Sequence, residues 1–141
     1  MAEDHTTHTG VDGKLAEELV AAARTGLGDL LRSVIYFTPG EFDVLYLRSD
    51  IYADEAEGRD AKGQLVDFEA VGFAEAPVRT AVAGSESAGI GPYEFTVRVH
   101  RDGFVVRVIE GEGGVLLTTD AMDIGAFEEA ATAARALLGG A

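Results

Sequence analysis

Arg98 and Arg107 are the residues of this sequence whose type and spacing come nearest to chemistry. Asp102-Gly103 lies midway between them and reads as a two-residue hairpin turn. That turn sets Arg98 opposite Arg107, with Val97 opposite Val108 and Val99 opposite Val106. Like charges opposed across a sheet repel, so the register calls for a compensating anion: a bound ligand, an acidic partner, or a local carboxylate such as Glu94. In a chain so rich in acids, local pairing is the favoured reading. His100 shares the polar face of the two arginines and completes a candidate anion or partner contact of Arg98, Arg107 and His100. Its neighbour is Arg101, and no Ser, Cys or second His stands nearby to build a nucleophilic triad.

Other groupings are weaker. Asp50, Asp54, Glu55, Glu57 and Asp60 lack the regular spacing of a calcium loop and read as solvated surface. His5 and His8 would share a metal only on a helix, and the threonines and Gly10 around them describe a mobile tail. Gly84, Gly89 and Gly91 precede a strand and lack the Lys-Ser/Thr of a phosphate-cradling loop. Carboxylates are too widespread to single out an acid/base dyad. No catalytic residue, cofactor or metal is expected, so the sequence reads as non-enzymatic.

The elements that must position these residues follow from composition and pattern. With 141 residues and 47% hydrophobic content, the chain fits one domain with its own core. It has no cysteine, which excludes disulfides and thiolate chemistry. Twenty-five acids against eleven bases give a net charge of −14, and only Lys14 and Lys62 are lysines. Such an excess repels itself unless salt screens it, which favours a salt-loaded cytoplasm over the alternative of an ordinary acidic domain. It also argues against a nucleic-acid partner, because no clustered basic surface is present. No apolar run is long enough to span a membrane, and the polar start MAEDHTTHTG is not a secretory signal.

A flexible leader is expected over residues 1–12 and a single α+β domain over 13–139. Leu15, Leu19, Ala22, Ala23, Leu27, Leu30 and Leu31 recur at helical spacing from Lys14 to about Leu31. Within it, Gly26 and Gly28 mark close packing or a bend. SVIYFTPGEFDVLYLR reads as a hairpin around a Pro39-Gly40 type II turn, pairing Phe37 with Phe42 and Ile35 with Val44. Its second face carries Val34, Tyr36, Leu45 and Leu47, so both faces need cover. A partner subunit could supply that cover, which makes Tyr36, Leu45 and Leu47 the candidate interface residues, and full cover within the chain is the equal alternative. Residues 50–62 read as a charged stretch broken by Gly58 and Gly63. A short helix over 64–76, with Leu65, Phe68, Val71 and Gly72 on one side, ends at Pro77. Three strands follow within 93–119, the last apolar enough to be central. Asp120 or Asp123 caps a final helix closed by Gly139-Gly140.

The order α-ββ-α-βββ-α implies a five-stranded, mainly antiparallel sheet with the first and last helices on one face. That order, over about residues 14–138, resembles the roadblock group of profilin-like folds, a resemblance that implies a dimeric interaction module serving small GTPases or scaffolds. The stretches YFTPGEFDVLYLRSD and YEFTVRVHRDGFVVRVIEGEGGVLLTTD are similar to a family of small haloarchaeal proteins of unknown function. The expected role is a cytoplasmic scaffold or regulatory module that pairs with itself and with an unidentified protein. The alternative is an anion sensor with Arg98 and Arg107 at its site.

Overall fold

A computed structural model describes residues 7–51, 55–83 and 89–140. Its elements are α1 (Gly13–Leu27), β1 (Leu31–Phe37), β2 (Phe42–Leu47), α2 (Glu55–Glu69), α3 (Gly72–Ala83), β3 (Thr96–His100), β4 (Gly103–Glu110), β5 (Gly113–Thr119) and α4 (Ile124–Leu138). The sheet order is β2-β1-β5-β4-β3, with every neighbouring pair antiparallel. The apolar β5 is central, as its composition requires.

One face is a hydrophobic layer. Leu19, Ala23 and Leu27 of α1 and Phe127, Ala130, Ala131 and Ala134 of α4 pack on Val34, Val106, Val108, Val115 and Leu117. Small residues let the two helices touch: a Cβ on Gly26 would stand 3.3 Å from that of Ala130. Asp12 caps α1 through the amide of Leu15, and Asp123 caps α4 through that of Ala126. Gly28, at φ 56°, stops α1 before Leu30 and Leu31, so Leu31 opens β1 and is not helical. Met122 lies ahead of α4 and is exposed.

The opposite face is covered by two helices. α2 runs through Gly58 and Gly63, and α3 contains Pro77. Gly58 is a close approach: a Cβ there would overlap Leu47. Proline costs α3 a single internal hydrogen bond so near its start. Ile35, Phe37, Leu116, Val105 and Ile109 meet Val66, Ala76 and Phe73 in the smaller core.

Register differs from the sequence expectation in both hairpins. Phe37 pairs with Phe42 and Ile35 with Val44, but a bulge then pairs Val34 with Tyr46 and Ser33 with Leu47. The extra residue sends Leu47 to the α2 side, while Tyr36 and Leu45 stay under the α1 layer. Gly40 does not take a positive φ; the loop closes instead through the Thr38 amide to the Glu41 carbonyl at 2.9 Å. In the second hairpin the turn is Arg101-Asp102, so His100 pairs with Gly103, Arg98 with Val105 and Thr96 with Arg107. Gly103 is already in β4, where a Cβ would lie 2.6 Å from the Thr119 carbonyl oxygen. The shift is two residues, so the faces survive and only the partners change.

Of the expected leader, residues 8–11 lie against the sheet edge. Asp43 accepts from the amides of His8 and Thr9 at 2.9 and 2.8 Å and from the Thr9 hydroxyl at 2.6 Å, and Val11 is buried. His5, Asp54 and Gly84 lie outside the described residues.

Candidate functional site

Arg107 stands in the middle of β4 with no solvent exposure, on the face that α2 and α3 cover. A buried guanidinium requires carboxylates, because desolvation of an unpaired charge costs several kcal/mol. Two arrive from the corner between the helices. Arg107 Nη1 donates to Glu69, the last residue of α2, at 3.0 Å. Nη2 donates to Glu75, in the first turn of α3, at 2.6 Å and to the Thr96 hydroxyl at 3.1 Å. The Tyr93 hydroxyl stands 3.5 Å from Nη2. Only Nε has no partner among the described residues.

Arg98 joins the same group from β3. Its Nε donates to Glu69 at 3.0 Å, so one buried carboxylate bridges both arginines. The compensating anion is Glu69, with Glu75 beside it, in place of Glu94. Hydrogen bonds from Arg107 and then Arg79 hold the Glu75 carboxyl below the usual carboxylate range. Gly72 completes the arrangement: a Cβ there would lie 2.7 Å from Arg107 Cζ and 2.8 Å from Nε. The corner therefore rests directly on the guanidinium, and the cluster clamps two helices to the sheet.

The inward stripe of α2 is Lys62, Val66 and Glu69. This corrects the expected stripe, since Phe68 is 70% exposed and Val71 56%. Neither Glu69 nor Glu75 announces its role in sequence. The available signal is an acid placed where the helical stripe should be apolar, across from an arginine on the apolar-flanked β4.

A second charged group closes the end of the sheet. Asp120 accepts from Arg32 at 2.8 Å and Arg48 at 2.6 Å, and Arg48 also donates to Asp50 at 2.8 Å. Arg48 and then Arg32 depress the Asp120 carboxyl. Of the acids around residues 50–60, Asp50 is thus engaged in an ion pair. No group of three His, Asp or Glu among the described residues is placed to hold a metal. His100, at the end of β3, is exposed and stands apart from the clamp. Tyr36, Leu45 and Leu47 are half-buried and do not share a face. No helix among the described residues is long and apolar enough to cross a membrane.

This architecture, a five-stranded antiparallel sheet between helix pairs, is the roadblock-like fold. It is shared with the gliding protein MglB of Thermus thermophilus, at 19% identity and TM-score 0.53, covering 93% of this chain and 96% of that one. An MglB structure described as having a tetrameric arrangement matches at 17% identity and TM-score 0.53, covering 92% and 94%. Myxococcus xanthus MglB matches at 9% identity and TM-score 0.52, covering 92% and 93%. Residues 17–139 match the family described as a domain of unknown function, DUF7522, and the chain belongs to that family. No curated protein matches it by sequence.

Proposed function

We propose that this protein is a non-enzymatic scaffold or regulatory module that acts as a homodimer in a salt-rich cytoplasm and engages a further protein. The observation that carries this reading is the inversion of α2, which turns Lys62 and Glu69 inward and Phe68 outward. Val71 and, on α3, Val78 are also exposed, as is Val99 on the edge strand β3. Large apolar side chains held in water are the mark of a contact surface. A second copy of the chain is the occupant assigned here, in line with the tetrameric arrangement described for one MglB structure. Tyr36, Leu45 and Leu47, the interface residues expected from sequence, already pack within the chain and lend it less support. The roadblock resemblance supports a small GTPase or scaffold as the further partner, and the acidic composition supports the saline setting.

Sedimentation equilibrium in molar potassium chloride tests the dimer. A dimer at high micromolar concentration is expected, and Phe68→Asp with Val71→Asp is expected to yield folded monomer. A wild-type monomer under those conditions sinks the reading.

A further inference from the structure

The two helix layers are held to the sheet by different kinds of contact. On one face α1 and α4 bury Leu19, Leu27 and Phe127 together with four alanines. On the other, the side chains that α2 and α3 bury among the described residues are the apolar Val66 and Ala76 and the charged Lys62 and Glu69. Leu65 and Phe73 pack half-buried beside them, with the Phe73 ring 5.0 Å from that of Phe37. Arg59 adds its bond to the Phe42 carbonyl at 2.9 Å, and the clamp adds the rest of the polar attachment at the corner between the helices. The first layer rests on apolar burial; the second leans on charge.

Arg107 binds both helices at once, through Glu69 of α2 and Glu75 of α3. If one helix left alone, the guanidinium would keep a single carboxylate while still covered by the other helix, and a buried charge that loses a partner is the costly case. If both leave, Arg107, Glu69 and Glu75 return to water and recover hydration that offsets much of their lost attraction. The cluster therefore favours two states, with both helices on the sheet or both off it. Off the sheet, α2 and α3 are 15 and 12 residues long, with Gly58 and Gly63 in one and Pro77 in the other. Helices so short and so interrupted do not persist alone in water, so leaving the sheet and unfolding are one step. A sheet still covered by α1 and α4 is a complete two-layer architecture without them.

We infer that α2 and α3 form a lid that opens as one unit by unfolding from the sheet, latched by Arg107 against Glu69 and Glu75, while the sheet stays folded against α1 and α4. Opening bares Ile35, Phe37, Val105, Ile109 and Leu116. It also dissolves the surface on which Phe68, Val71 and Val78 are displayed. The closed and the open chain thus offer different apolar surfaces, and whatever binds one of them shifts the lid by its differential affinity. The lid does not depend on the dimer; a second copy seated on Phe68 and Val71 would hold it closed by mass action.

The test is native-state hydrogen exchange of the full chain, read by amide NMR in molar salt over a series of low urea concentrations. Amides of α2 and α3 are expected to exchange together, with protection at least about tenfold below that of β1, β5 and α4. Their dependence on urea is expected to be shallower, because opening the lid exposes less surface than unfolding the chain. Ala130→Gly weakens α4, outside the lid, and is expected to lower the protection of β5 and α4 about fivefold. The same variant is expected to leave α2 and α3 within about twofold of wild type, because the lid opens with α4 still folded. Arg107→Leu acts on the closed lid and is expected to remove most of the protection of α2 and α3, with β5 losing no more than the lid had. One protection level and one urea slope across the whole chain overturn the lid. So do α2 and α3 exchanging at unlike levels, or Ala130→Gly lowering α2 and α3 as much as β5. Undiminished protection of α2 and α3 in folded Arg107→Leu overturns the latch.

Discussion

Replacing Arg107 by leucine removes the centre of the ionic clamp and keeps a side chain that fits a strand. Three consequences follow from the geometry. Glu69 is 3% exposed and loses its closest buried partner, keeping only Arg98, whose side chain is 45% exposed. Glu75 keeps Arg79 and sits nearer solvent, so its loss is smaller. The space under Gly72 loses the guanidinium that filled it. Breaking a buried pair by deleting one partner costs about 3–5 kcal/mol, mostly from the stranded charge. A chain of this size has about 7–15 kcal/mol of stability, so the variant is expected to lose about a fifth to seven-tenths of it. At about 2–4 °C per kcal/mol for this size, the melting temperature is expected to fall by roughly 6–20 °C. Urea unfolding followed by circular dichroism measures the loss. The stranded-charge argument has its own control: Glu69→Leu in the Arg107→Leu background is expected to recover about 2 kcal/mol, because apolar replacement of a whole buried pair is often neutral. A loss under about 1 kcal/mol for Arg107→Leu, within the range of ordinary surface substitutions, or no recovery in the double variant, refutes the clamp.

Gly72→Ala puts a Cβ against Arg107 and Ile109 and is expected to cost about 1–3 kcal/mol as overpacking. Gly63→Ala adds only a 3.8 Å contact to Phe42 in a helix interior and is expected to stabilise by about 0.5–1 kcal/mol; urea midpoints of the pair decide both. The Glu75 and Asp120 carboxyls are held below their usual range by arginine hydrogen bonds. Groups depressed in this way stabilise the fold above the usual carboxylate range and lose that contribution as pH falls through their folded values. Melting temperature is therefore expected to drop steeply below about pH 4, and Glu75→Gln is expected to flatten that acid limb. Dialysis from molar salt into dilute buffer is expected to lower the helical signal as the −14 charge loses its screening; an unchanged spectrum counts against adaptation to salt.

The faces of β3 and β4 were legible because strand alternation has a period of two, and a two-residue slip leaves that period intact. Their partners were not, whereas in the β1–β2 hairpin the partners nearest the turn were legible and the bulge that turns Leu47 over was not. Asp102-Gly103 has the chemistry of a turn, but Gly103 is small because it packs on the Thr119 carbonyl, a long-range reason invisible in the dipeptide. The same confusion hid the first half of α2. Gly58 looks like a helix breaker, yet it lies where Leu47 leaves no room for a side chain. The inward stripe was unreadable for a different reason. Burying Glu69 in preference to Phe68 is unfavourable on any transfer scale until Arg107 is placed opposite, and only the tertiary structure supplies that partner. The two arginines thus named the right neighbourhood, while the acids that complete it came from a stretch that reads as weak.

The two borders of the sheet are unequal, and that limits what the molecule can build. β2 is interrupted by its bulge, and Arg59 of α2 lies over the Phe42 ring and donates to the Phe42 carbonyl at 2.9 Å. β3 pairs with β4 without a break and, among the described residues, has no strand on its other side. A strand joining this sheet edge-on therefore meets one regular border and one blunted border. Two regular borders would let each added sheet recruit the next, and growth would be open-ended. With a valence of one, strand addition at β3 would end after a single step, so edge-on association at this border would give closed pairs and not fibres.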